Sequence, residues 1–144
     1  MQFSNRFAIA IHMFAYIHTY EGEEKMTSAN LARSVNVNPV VVRQILSRLK
    51  AAGLLNSSQG SSHIEIAKNP EYITLLDIFR ALDMMREDRL FGYHSNPSTE
   101  CPVGRNIHAV LDDQLLDVQR AMENSLQSVT LADVFKDTAS YVWC

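Results

Sequence analysis

Apolar side chains recur along most of this chain at helical spacing, and in one short interval they alternate instead. Between residues 4 and 20, Phe7, Ile11, Phe14 and Ile17 fall three and four apart. That spacing puts them on one face of a helix, a stripe that needs a core to bury it. Gly22 and its acidic neighbours end the segment. A short second helix is predicted over residues 28–35, with Thr27 or Ser28 as its N-cap. Val35-Asn36-Val37-Asn38 then makes a tight turn. Asn38 suits an N-cap, and Pro39 suits the first helical position, where no backbone N–H is missed. The third helix is expected from Pro39 to Ala52, with Val42, Ile45, Leu46 and Leu49 on its inner face and Gly53 as its stop signal.

The period then changes. Leu54-Leu55-Asn56-Ser57 reads as a short strand, Ser58 to Ser62 as a turn, and His63 to Ala67 as an alternating strand with Ile64 and Ile66 on one face. Together these predict a hairpin, closed off by Pro70. Thr74-Leu75-Leu76-Asp77 forms a capping-box start for a helix through about Met85. Residues 88–103 read as irregular, and a long helix is expected from Gly104 to about Ser128. Along it His108, Leu111, Leu115, Val118, Met122, Ser125 and Val129 alternate at spacings of three and four. A seam of that length suits pairing with a second copy of the chain through Leu111, Leu115, Val118 and Met122. A helix packed on its own domain is the alternative. Thr130 to Asp133 caps a last short helix, and the tail from Tyr141 to Cys144 has no assignment. The fold class is therefore mainly α with a small β-hairpin wing. Residues 1–85 form a winged helix-turn-helix unit, and residues 86–144 supply a linker, a long dimerisation helix and a C-terminal helix.

Composition narrows the function classes. Hydrophobic residues make up 47% of the 144 and charged residues 20%, an ordinary globular balance. No apolar run approaches the roughly 20 residues of a membrane-spanning helix. The N-terminus also lacks the features of a signal peptide, so a cytoplasmic protein without a membrane partner is expected. The two cysteines, Cys101 and Cys144, are distant in sequence and read as free thiols. His12 and His18 stand six apart, a poor metal spacing on a helix.

Charge distribution is more informative than its total. The formal net charge is −3, yet residues 1–70 hold seven Lys/Arg against four Asp/Glu, and residues 71–144 hold six against twelve. From residue 26 to 68 the balance is five to one in favour of the bases. A basic half and an acidic half suggest separate work.

Helix, short helix, tight turn, helix and hairpin is the order of a winged helix-turn-helix. The outer face of the third helix carries Arg43, Gln44, Ser47, Arg48 and Lys50. Arginine bonds guanine and glutamine bonds adenine in bidentate fashion, and Arg43 and Gln44 lie toward the helix start, which normally enters the major groove. The candidate DNA contacts are thus Ser28, Asn38, Val40, Arg43, Gln44, Ser47, Arg48 and Lys50, with Ser61 and His63 from the wing. The wing holds hydroxyls, an amide and an imidazole but no arginine. Taken with the acidic second half, that keeps open an alternative, a winged protein-interaction module that does not bind DNA. Cys101 precedes Pro102 near the start of the long helix, where a helix N-terminus favours thiolate, which makes it a candidate redox sensor. Cys101 with His94 or His108 is a conceivable nucleophile and base. No phosphate loop, metal-ligand cluster or paired-carboxylate motif accompanies them, and no enzyme is expected.

Several segments together resemble the Rrf-two (BadM/Rrf) family of winged-helix transcriptional regulators. They are Met1-Gln2-Phe3-Ser4 with its apolar helix, Asn38-Pro39 through Ile45-Leu46-Ser47-Arg48-Leu49, Ala52-Gly53-Leu54-Leu55, Ala67-Lys68-Asn69-Pro70 and Ile73 to Ile78. The run from Asn96-Pro97 to Cys101-Pro102-Val103-Gly104 is similar to the YwnA-like branch. The resemblance implies a homodimer joined by its long helices, binding double-stranded DNA at a palindromic operator and controlling transcription by occupying the promoter, most simply as a repressor. An oxidant or a small molecule would be its signal. The chain departs from the family pattern twice. Many members hold an iron–sulfur cluster through three cysteines before the dimer helix, whereas residues 88–106 contain only Cys101. A cluster usually takes four ligands, so no cofactor is expected. Ser62-His63 also replace the glycine pair common in the wing.

Overall fold

In the computed structural model, residues 5–23, 25–57, 63–83 and 89–142 are described. Helix α1 spans Arg6–Thr19, α2 Ser28–Val35 and α3 Pro39–Ala51. Strands β1 (Leu55–Ser57) and β2 (Ile64–Ile66) follow, then a 3-10 turn at Pro70–Tyr72. Helices α4 (Leu75–Ala81), α5 (Pro102–Gln127) and α6 (Leu131–Val142) complete the chain. This is the winged-helix architecture expected from the periodicity, mainly α with one antiparallel hairpin.

Local chemistry accounts for most element ends. The Thr27 side chain, not Ser28, caps α2 by accepting from Asn30 N at 3.1 Å. Asn36 ends α2 in the left-handed region at φ 56°, which asparagine tolerates better than most residues. The Asn38 side chain accepts from Val40 N at 2.9 Å, and Pro39 follows in the first turn of α3. Gly53 leaves α3 at φ +76°, where a side chain would be strained. In the hairpin Leu55 pairs with Ile66, Asn56 with Glu65 and Ser57 with Ile64. The turn from Ser58 to Ser62, including Ser61, lies outside the described residues.

Two reciprocal caps start α4 and α6. Thr74 Oγ1 accepts from Asp77 N at 3.1 Å while the Asp77 carboxylate accepts from Thr74 N at 3.0 Å. Thr130 and Asp133 repeat the arrangement at 3.2 and 2.9 Å. Thr74 and Thr130 face each other in an isolated antiparallel bridge, and Leu75 N donates to Val129 O at 2.9 Å. The two helix starts are therefore held side by side, although more than fifty residues separate them. In the second cap the backbone N–H of Thr130, and then its side chain, bond the Asp133 carboxylate and hold its carboxyl below the usual value.

Three boundaries differ from the sequence expectation. Helix α5 starts at Pro102 rather than Gly104, because Pro102 occupies the first helical position, with Cys101 as the N-cap residue. The described part of α4 ends at Ala81; Met84 and Met85 are not described. Helix α6 runs twelve residues and takes in Tyr141 and Val142.

One core gathers most of these elements. Ala10, Met13, Phe14 and Ile17 from α1 meet Leu31, the inner face of α3, Leu55 and Ile64 from the hairpin, and Ile73 and Ile78. Leu131 and Phe135 of α6 join the same cluster, and His18 stacks on Phe135 with ring centroids 4.1 Å apart. The C-terminal helix thus returns to the winged unit. Helix α5 contributes no side chain to this cluster, and only its Gln119 is buried. Its Oε1 accepts from Leu90 N at 2.9 Å and its Nε2 donates to Glu123 at 2.9 Å. Arg80 on α4 reaches Glu123 at 3.3 Å.

Candidate nucleic-acid interface

The recognition surface is built by burying one side of α3. Val42, Ile45 and Leu49 are fully buried and Leu46 nearly so, so the helix cannot roll without exposing its core stripe. That leaves Val40, Arg43, Gln44, Ser47, Arg48 and Lys50 exposed on the opposite side. The positive dipole end of α3 lies on the same surface, with the Val40 N–H already capped by the Asn38 side chain. Ser28, half-buried at the start of α2, and the exposed Asn38 flank it.

Arg6 is a neighbour of this surface that the sequence did not single out. From the start of α1 its Nη2 donates to Gln44 Oε1 at 2.8 Å. Arg6 adds a fifth positive side chain beside Arg43, Arg48, Lys50 and Arg33, and it orients the Gln44 amide. A glutamine accepts through Oε1 and donates through Nε2. With Oε1 engaged by Arg6, the Gln44 amide has its Nε2 left to donate. No local signal marks this pair, since the partners stand 38 positions apart.

The other cations are held loosely. Arg48 lies 4.0 Å from Asp83, with both side chains mostly in solvent, a separation that contributes little. In the wing, the His63 imidazole Nε2 lies 3.3 Å from the Glu65 carboxylate. Arg33 pairs with Asn30 on α2.

The remaining candidate residues lie away from this surface. Cys101 is exposed and free. The backbone N–H of Gly104, and then that of Val103, hold its thiol below the ordinary value. The expected seam residues divide along α5: Leu111 and Val118 are 39% and 52% exposed, while Leu115 and Met122 are half-buried within the chain. Val103, two residues after Cys101, is 69% exposed. His12 Nε2 lies 3.1 Å from Ser34 Oγ. Among the described residues no three His, Cys, Asp or Glu side chains converge as a metal site, and no helix is long and apolar enough to cross a membrane.

Comparison with known proteins follows the same lines. The Rrf2 family model, described as "Iron-dependent Transcriptional regulator", matches residues 3–137. The Bacillus subtilis (strain 168) protein "Putative HTH-type transcriptional regulator YwnA" is 44% identical over 131 residues, covering 91% of this chain and 95% of its own. A crystal structure described as "a putative DNA binding protein" is 42% identical with a TM-score of 0.72, covering 90% of this chain and 97% of its own. IscR of T. potens shares the fold at 22% identity and a TM-score of 0.69, covering 99% of this chain and 91% of its own.

Proposed function

This chain belongs to the Rrf2 family of DNA-binding transcriptional regulators, and on that premise we propose that it is a cytoplasmic homodimer whose paired winged units repress transcription at a palindromic operator. The family and the curated relative are transcriptional regulators, not enzymes. The observation that carries the reading is the two-sided α3. Its apolar side is locked into the core, and its polar side presents Arg43, Gln44, Ser47, Arg48 and Lys50 outward. Arg43 and Gln44 are assigned to base edges. Ser28, Asn38, Lys50 and the helix start are assigned to phosphates, with Val40 available to a thymine methyl group. Ser61 and His63 of the arginine-free wing are assigned a weaker backbone contact.

Support for the dimer comes from α5. At about 1.5 Å per residue its 26 residues reach roughly 39 Å. A helix of that length with one buried side chain leaves Leu111 and Val118 in need of cover. A partner helix of the same kind would supply it through Leu111, Leu115, Val118 and Met122.

The family description names iron, and the donor set of this chain does not fit an iron–sulfur cluster. Residues 88–106 contain one cysteine, whereas clusters usually take four thiolate or histidine ligands. We therefore assign no step to iron. An oxidant acting at Cys101 is the signal we favour, because this thiol is exposed and two backbone N–H groups favour its thiolate. Oxidation to a mixed disulfide by a low-molecular-weight disulfide, with release of the second thiol, would place a bulky group at the start of the dimer helix.

The deciding experiment is a titration onto DNA from the protein's own upstream region, with random DNA as competitor, at several salt concentrations. Specific binding that weakens steeply with salt supports the regulator. Equal affinity for both DNAs at every salt concentration would favour the protein-interaction module. For the signal, the titration is repeated after oxidation; an identical response from Cys101→Ser protein would remove Cys101 from that role.

A further inference from the structure

Between the segment from Arg89 to His94 and the middle of α5 lies a cavity of about 230 Å³. Its walls are largely apolar, formed by Phe91, Tyr93, Ile107, Leu115 and Leu116. A cavity of about 150 Å³ lined by apolar side chains accepts a benzene molecule, so this one has room for a substituted ring.

His108 is among the lining residues, and one of its ring nitrogens lacks a partner among the described residues. His108 Nδ1 lies 3.0 Å from Asp112 Oδ1. A carboxylate only accepts, so Nδ1 is the donor of this pair, and with one proton on the ring Nε2 is left as an acceptor. That Nε2 is buried, and among the described residues nothing donates to it. A buried acceptor left unsatisfied is costly. The cover over it is light: Tyr93 stacks on the His108 ring at 4.5 Å, is itself 56% exposed, and has the Arg89 guanidinium 5.2 Å from its ring centroid. Swinging Tyr93 aside gives up little packing.

The surroundings also select charge. Asp112 and Asp113 are both among the lining residues and disfavour an anion, while Arg89, placed over Tyr93, opposes a cation. A neutral ring that donates one hydrogen bond meets all of these conditions. We propose that the cavity binds a small neutral aromatic compound of the phenol class, its ring between Tyr93 and Leu115 and its O–H donating to His108 Nε2. Leu111 and Leu115 line this cavity and also belong to the proposed dimer seam, so an occupant would bear directly on the helix that joins the two copies. The site itself stands independently of the DNA-binding reading.

The test is a calorimetric and saturation-transfer NMR titration of the full chain with 4-ethylphenol. Ethylbenzene serves as the comparison, with the same shape and no hydroxyl. One 4-ethylphenol per chain is expected to bind saturably, and about three- to tenfold more tightly than ethylbenzene. His108→Phe should lower the affinity for 4-ethylphenol to that for ethylbenzene and leave the latter unchanged. Leu115→Trp, which fills the cavity, should abolish binding of both. Should that variant fail to fold by circular dichroism, the two-probe contrast on the unaltered protein and on His108→Phe still decides. No saturable binding, equal affinity for the two probes, or an unaffected His108→Phe protein would overturn the proposal. Failure to bind together with a Leu115→Trp protein that is monomeric would assign the face to a partner helix instead. None of these readouts uses DNA, so a failure here and a failure of the operator reading are separable.

Discussion

Helices α1 and α3 each bury four side chains in the common core, and α2 and α6, though shorter, bury two each. Helix α5, nearly twice the length of α1, buries one, and that one is a glutamine. The winged unit satisfies its apolar face within the chain, so its geometry is set by packing and its outward residues are free to take part in recognition. Helix α5 is tied to the rest by Gln119, by the Arg80–Glu123 pair and by the segment from Arg89 to His94, and leaves Val103, Leu111 and Val118 in solvent. One region is complete as a single chain. The other leaves apolar side chains uncovered within the chain.

The largest expected effect tests the first half of that contrast. Phe14 is fully buried between α1 and its neighbours, and Phe14→Ala should destabilise the fold by about 3–5 kcal/mol, read as a shift in the denaturant midpoint. The double substitution Leu111→Asp, Val118→Asp on α5 should leave the winged unit folded by circular dichroism. It should convert the dimer to monomer by analytical ultracentrifugation, since paired like charges cannot be buried there. A fold lost with the dimer would show that the winged unit is not self-sufficient.

Arg43→Ala should weaken specific DNA binding by about 1–3 kcal/mol and relax base preference at one operator position, with no change in the unfolding midpoint beyond about 0.5 kcal/mol. The two reciprocal caps permit a finer comparison. Thr74→Ala and Thr130→Ala should each cost about 1 kcal/mol in thermal melts, because each removes the acceptor for an Asp backbone N–H.

The smallest effect concerns pH. Thr130 lowers the carboxyl pKa of Asp133 in the folded state. The stability this contributes is therefore present above the unfolded-state value and lost as pH falls through the folded one. Melts of the unaltered protein and Asp133→Asn should differ near neutral pH and converge in acid. A constant gap across that range would show that the charge of Asp133 is not what the cap uses.

Features that depend on residues within four positions of one another were legible in advance. The stripe at Phe7, Ile11, Phe14 and Ile17, the Asn38–Pro39 start, the Gly53 stop and the caps at Thr74–Asp77 and Thr130–Asp133 all belong to this kind, because helix period and capping are local physics. Pro102 obeys the same rules, although the expected helix begins two residues later, at Gly104. The two-sided α3, and with it most of the DNA-contact candidates, followed from the same periodicity.

The chain's path decided the rest. Whether Leu115 faces its own segment at 89–94 or a partner, whether α6 returns to α1 through Phe135, and whether Arg6 meets Gln44 depend on where distant segments come to lie. Neither spacing nor composition encodes the distance between residues 38 positions apart. The same holds for His108 Nε2: a histidine in a heptad reads as one more seam position, and only the placement of Tyr93 over its ring leaves a buried ring nitrogen beside a cavity. The sequence by itself determined the elements, their caps and the polar face of the recognition helix, because those arise from short-range sterics and hydrogen bonding. The tertiary structure alone decided which faces are covered and which stay open, because burial is a property of the whole chain's packing.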